Sequence, residues 1–192
     1  MAAPNIPWIS PDEYLDEEAG SASKHMYYAG LVTAMAGGSL AHWRIAGNLI
    51  AALHNALRGR GCGVGGSDLS FRTGSGEMFT YPDVMVLCGP VESVPGRKHV
   101  VTNPVFVAEV LSPSTEGMDR GAKLREYRAT PSLRQFVLVA QEEPWVEIHT
   151  RNETGAWEVR DVTGLEGECE FTGIDCVVPM AALYEGALDI ES

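Results

Sequence analysis

The chain has 192 residues, 45% of them hydrophobic, enough for one well-formed domain spanning 1–192 with a sizeable core. Its net charge of −12 excludes a general DNA-coating protein, which carries a basic field, so any nucleic-acid contact is local or helped by metal cations. No run approaches the roughly 18 apolar residues of a membrane span. The start, "MAAPNIPWISPDEYLDEEAG", lacks a basic segment followed by an apolar one, so a cytoplasmic location with no membrane partner is expected.

In chain order, "SPDEYLDEEAG" predicts a short helix, with Ser10 as cap, Pro11 in the first turn and Glu13 at capping-box spacing. "HMYYAG" and "LVTAMAG" predict two short strands turning at Gly30. "SLAHWRIAGNLIAALHNALRGRG" is the strongest helix. Ile45, Leu49, Ala52, Leu53, Ala56 and Leu57 recur at helical spacing, Ser39 can cap, and Gly59 and Gly61 end it. "DLSFRTGSGEMFTYPDVMVLC" reads as a hairpin turning at "TGSG", followed by a Gly/Pro-rich loop, "GPVESVPGRKH". Then come the strand in "PVFVAEVLSPST", a helix over "EGMDRGAKLREYRAT" and the strand "LRQFVLVA". A hairpin, "WVEIHTRNETGAWEVRDV", turns near Asn152 to Gly155, and a short helical piece surrounds "PMAALYEG". This order predicts an α/β (α+β) domain around a mixed sheet. Cys62, Cys88, Cys169 and Cys176 form no CxxC, so reduced thiols are expected, not a disulfide frame or zinc site.

One letter stands out in the apolar strand near residue 107. Alternation puts Glu109 on the face of Val105, Val107 and Leu111, where a lone carboxylate costs several kcal/mol unless paired or neutralised. A second acid, Asp83, shares the face of Met85 and Leu87 on another apolar strand. Two carboxylates brought together repel, and a hard divalent cation with oxygen ligands relieves them. Downstream, Asp119, Lys123 and Tyr127 fall at four-residue spacing on one helical face, from which Lys123 can reach the acids if the helix packs over the sheet. Blander readings stand beside these. Lys123 with Asp119 makes an ordinary surface pair, Asp83 after Pro82 shapes a turn, Asp68 faces a polar side, and His42 caps, packs or binds.

"YPDVMVLC" followed by "VFVAEVLSPSTEGMDRGAKLREY" resembles the PD-(D/E)XK nuclease superfamily, and more closely the Uma-two family of restriction-endonuclease-like proteins. The resemblance extends from "EYLDEEAG" through "AMAGGSLAHWRIAGNLIAALHNALRGRGC" to "LYEG". It implies a restriction-endonuclease-like core, a mixed central sheet flanked by helices, with an extra N-terminal helix and hairpin and a C-terminal hairpin. It also implies Mg²⁺ or Mn²⁺ held by Asp83, Glu109 and the Val110 carbonyl, DNA as substrate, and an arrangement compatible with a homodimer. The superfamily lysine normally sits two residues past the acid, where this chain has Leu111, and in this branch the role passes to Lys123. The implied activity is hydrolysis of a phosphodiester, with the lysine holding or activating water or steadying phosphate charge. Met26 occupies a position where the resemblance implies an acid. The alternative is therefore a weakened or inactive nuclease-fold module that binds nucleic acid or a protein partner.

Overall fold

The computed structural model of the chain describes residues 8–113 and 116–189. Helix α1 (Pro11–Ala19) starts with the reciprocal capping box: Ser10 Oγ accepts from the Glu13 amide while the Glu13 carboxylate accepts from the Ser10 amide. The hairpin β1 (His25–Tyr28) and β2 (Leu31–Ala34) turns through Ala29 and Gly30, both at positive φ as a two-residue hairpin turn requires. Helix α2 (Leu40–Ala56) is capped by Ser39 Oγ and buries Ile45, Leu49 and Leu53 along one stripe.

Seven strands follow: β3 (Cys62–Gly65), β4 (Ser70–Arg72), β5 (Met78–Thr80), β6 (Val84–Cys88), β7 (Ser93–Val94), β8 (Arg97–Val101) and β9 (Phe106–Val110). The helix expected after "SPST" is broken into α3 (Glu116–Met118), a π-helical turn over Asp119–Lys123, and α4 (Leu124–Arg128). Ser114 and Thr115 lie outside the described residues. The chain ends in β10 (Gln135–Val139), β11 (Trp145–Arg151), β12 (Trp157–Thr163), β13 (Glu168–Phe171), β14 (Cys176–Pro179) and α5 (Met180–Leu183).

The strands form a mixed α+β architecture. The central sheet has the order β12-β11-β10-β9-β6-β3, with β9 and β10 parallel and the other neighbours antiparallel. Strands β9 and β10 are buried at every residue, as central parallel strands covered on both faces must be. One face, with Val84, Val86, Ala108 and Val110, packs under the Ile45–Leu49–Leu53 stripe of α2. The other, with Met85, Val107, Leu111 and Leu138, packs with Tyr127 of α4 and Phe71. Each large aliphatic side chain so buried contributes roughly 1.5–3 kcal/mol. A second sheet, β2-β1-β5-β4-β8-β7, carries α1 over Tyr27 and Phe79. No helix among the described residues is long and apolar enough to cross a membrane.

Several expectations need correction. The stretch read as a loop, "GPVESVPGRKH", contains β7 and the start of β8, because Pro95-Gly96, with Gly96 at positive φ, makes a tight turn between them. Strand β3 and the β13–β14 pair were not anticipated, since glycine-rich and alternating polar sequences give weak strand signals. Val105 precedes β9 and packs with the α2 face, so it does not share the Glu109 side. The expectation of four thiols also fails: Cys62 and Cys88 are disulfide-bonded, because β3–β6 register sets them directly opposite each other with Cα atoms 4.0 Å apart. Cys169 and Cys176 are free and buried.

Candidate functional site

The site forms at the end of β9, where three elements meet. In the β6–β9 register Val84 faces Ala108, so one residue further along the same register sets Asp83 opposite Glu109. Directly opposed residues of an antiparallel pair share a face, which brings the two acids together. Asp83 Oδ2 accepts from the Val110 amide at 2.8 Å, and it lies 3.1 Å from His42 Nε2 at the start of α2. In an extended strand the carbonyl and amide of one residue point to the same edge, so the Val110 carbonyl is directed to the Asp83 side.

The π-helical turn supplies the cation. Lys123 Nζ lies 3.1 Å from Glu109 Oε1 and 2.8 Å from Asp119 Oδ1, with its side chain 7% exposed. Widened turns of this kind recur at functional sites because they re-aim side chains that a regular helix would place elsewhere. Tyr127, one helical turn further, donates its hydroxyl to Glu109 Oε1 at 2.5 Å. The surface-pair reading of Asp119 and Lys123 is thus wrong: both are buried.

The electrostatics follow from crowding. Half-buried Asp83 pairs with His42, while the buried carboxylates Glu109 and Asp119 share the single Lys123. Burial pushes the Glu109 carboxyl up to about 8; Lys123 opposes that rise, while Asp83 and Asp119 add to it. Burial disfavours the Lys123 ammonium, but Glu109 and Asp119 more than offset this and hold it protonated. Burial also works against a charged His42, yet Asp83 raises its pKa above the ordinary histidine value. Gly38 presses against that histidine: a Cβ there would lie 2.5 Å from His42 Nδ1.

These groups line one cleft of 830 Å³, between α2, the β2–α2 connection and the end of β9. Asp83, Glu109, Val110, Lys123 and His42 all reach it. Met26 does not line it. It is buried in β1 opposite Thr33, so the missing acid at position 26 subtracts nothing from this cluster. Glu18, nearby in sequence, is occupied elsewhere, accepting from the His25 amide and the Tyr81 hydroxyl, each at 2.9 Å. Asp68 is exposed and pairs with Lys24 at 3.4 Å.

The donor set suits a hard cation only in part by protein atoms. Among the described residues, no three His, Cys, Asp or Glu side chains converge as a metal cluster. Two carboxylates and a carbonyl remain, an oxygen-only set with surplus negative charge. Magnesium is commonly held in this way, by one or two carboxylates with water and substrate phosphate completing the shell.

The fold has a counterpart among solved structures. Over 92% of this chain and 97% of the other, the fold matches, with a TM-score of 0.74 and 14% identity, a crystal structure described as "a putative nuclease belonging to DUF820" from Anabaena variabilis ATCC 29413. The model of the Uma2 family, described as "Putative restriction endonuclease", matches residues 11–175, and the chain belongs to this family. Two relatives come from Synechocystis sp. (strain ATCC 27184 / PCC 6803 / Kazusa). Uncharacterized protein slr1290 is 39% identical over 183 residues, covering 94% of each chain. Uncharacterized protein sll1609 is 31% identical over 164 residues, covering 85% of this chain and 93% of its own.

Proposed function

We propose that the chain is a divalent-metal-dependent endonuclease that hydrolyses phosphodiester bonds of DNA, acting as one domain. The observation that carries this reading is the meeting of Asp83, Glu109 and Lys123 in a single cleft. Asp83 and Glu109, with the Val110 carbonyl, would hold Mg²⁺ or Mn²⁺. Such a cation supplies Lewis-acid stabilisation of the charge on the phosphoryl oxygens and acidifies the attacking water. The described contacts engage Asp83 Oδ2 and Glu109 Oε1, so Oδ1 and Oε2 are the candidate ligand atoms.

The chain's own residues then divide the work. Lys123, held protonated, cannot serve as the ground-state base; it orients water and offsets phosphate charge. Asp119 holds the Lys123 ammonium together with Glu109. Tyr127 orients the Glu109 carboxylate, and His42 orients that of Asp83.

The test uses chain stripped with EDTA, Mn²⁺ titration by calorimetry, and cleavage of supercoiled plasmid and circular single-stranded DNA with Mg²⁺ or Mn²⁺. Metal binding and cleavage that both disappear in Asp83→Asn support the reading. A chain that binds no Mn²⁺ and cuts neither DNA overturns it.

A further inference from the structure

The helix that delivers His42 also presents apolar surface to water. Trp43 is 65% exposed and Leu40 is 66% exposed, although α2 buries its opposite stripe well. Both line the rim of the cleft that holds Asp83, Glu109 and Lys123. They lie three residues apart, hence side by side on the helix surface. Met35, Gly37 and Gly38, in the connection that leads into α2, line the same cleft, and a Cβ at Gly37 would meet nothing within 4 Å.

Cations at this rim are few. Lys24 reaches it with its ammonium 2.6 Å from the Ser67 carbonyl, and the Arg44 guanidinium lies 5.6 Å from the Trp43 ring centre. Lys123 is spent on Glu109 and Asp119. A duplex presents two phosphate rows and is bound mainly by neutralising them, which a chain of net charge −12 with so sparse a basic rim cannot do well. A flat indole at the mouth of the cleft offers the other source of nucleic-acid affinity, base stacking, which single strands provide without the cost of unpairing.

We infer that the cleft takes single-stranded DNA, with one unpaired base stacked on Trp43 and the adjoining phosphodiester directed to the acids. This rests on the phosphodiesterase reading for what happens to the strand, but the stacking is measurable without cleavage. The experiment is fluorescence anisotropy in EDTA with a labelled 12-nucleotide single strand and the same sequence as a blunt duplex. The proteins are wild type, Trp43→Ala and Trp43→Phe, each checked by sedimentation.

The single strand binds at least roughly tenfold tighter than the duplex. Trp43→Ala weakens single-strand binding by about tenfold or more, while Trp43→Phe keeps most of it. The salt slope is no steeper than about −2, as expected for two or three phosphate contacts on a single strand. Equal duplex binding, no single-strand binding, or an unchanged Trp43→Ala variant overturns the inference. So does a dimer that becomes monomeric in Trp43→Ala with the same affinity per chain, since a second copy then covers the indole. A protein that cuts plasmid duplex yet shows no Trp43 dependence loses this inference and keeps the endonuclease reading. One that stacks single strands through Trp43 but cuts nothing keeps the inference and loses the endonuclease.

Discussion

Glu109 and Glu126 are both buried glutamates, 3% and 7% exposed, yet they live in opposite environments. Glu126, on α4, receives the hydroxyls of Ser75 and Thr73, the latter at 3.1 Å, and ties the "TGSG" turn to the helix. Its partners are neutral donors. Glu109 faces a lysine, a tyrosine hydroxyl and two further acids at the wall of an open cleft. Burial alone therefore does not mark a functional carboxylate. Like charge that a single lysine offsets only in part, at the wall of an open cleft, does, because the protein retains an electrostatic cost that a ligand can remove.

The sharpest break between the two positions is in catalysis. Glu109→Gln and Asp83→Asn are expected to lower cleavage of circular single-stranded DNA by roughly 100- to 1,000-fold, the range for loss of a preorganised electrostatic group. Glu126→Gln should leave the rate within about a factor of three, since its partners do not reach the cleft. Equal losses at both positions, read from initial rates, would end the contrast. Next in size is Lys123→Met, which leaves Glu109 and Asp119 buried without their cation. Removing one partner of a buried pair costs about 3–5 kcal/mol, measurable by urea unfolding in EDTA. Added Mn²⁺ should restore part of that loss, whereas nothing comparable should happen at Glu126. Glu126→Ala removes the acceptor of two hydroxyls and should cost about 1–3 kcal/mol with cleavage intact. The smallest effect belongs to Gly38→Ala. Its methyl must displace the His42 ring, so Mn²⁺ affinity should fall about two- to tenfold if losing the His42–Asp83 contact costs the 0.5–1.5 kcal/mol of one hydrogen bond. An unchanged affinity there would show that His42 does not hold Asp83 in its working position.

Much of this was legible in the sequence where local chemistry decides structure. The Ser10–Glu13 box, the Gly30 turn and the Ile45–Leu49–Leu53 stripe each specify their element within a few residues. The candidate acids were legible for a related reason: a charge in an apolar strand has few innocent explanations. What the sequence hid depends on neighbours distant along the chain. Strand β3, "CGVG", is an edge strand whose pairing with β6 outweighs its glycines. The burial of Asp119 and Lys123 needs the π-helical turn, which no periodicity announces, and a regular four-residue stripe looks the same on a solvated face. His42 stayed open between cap, packing residue and binding residue because its partner, Asp83, lies some forty residues further along the chain, just before β6.

The Cys62–Cys88 bond joins positions 26 residues apart and so closes a covalent ring. That ring leaves the central sheet at β3, passes through β4 and β5 of the second sheet, and returns through Asp83 into β6. The candidate ligand Asp83 thus sits on a lasso whose knot is tied at the edge of one sheet and whose loop is woven into another. By loop entropy alone such a closure restrains the unfolded chain by about 3.5 kcal/mol. Opening it with a thiol touches no residue of the cleft, yet it unties the segment that carries Asp83. Reduction is therefore expected to loosen the segment that carries Asp83 while leaving every side chain of the cleft chemically unchanged, a difference that urea unfolding with and without a thiol reads.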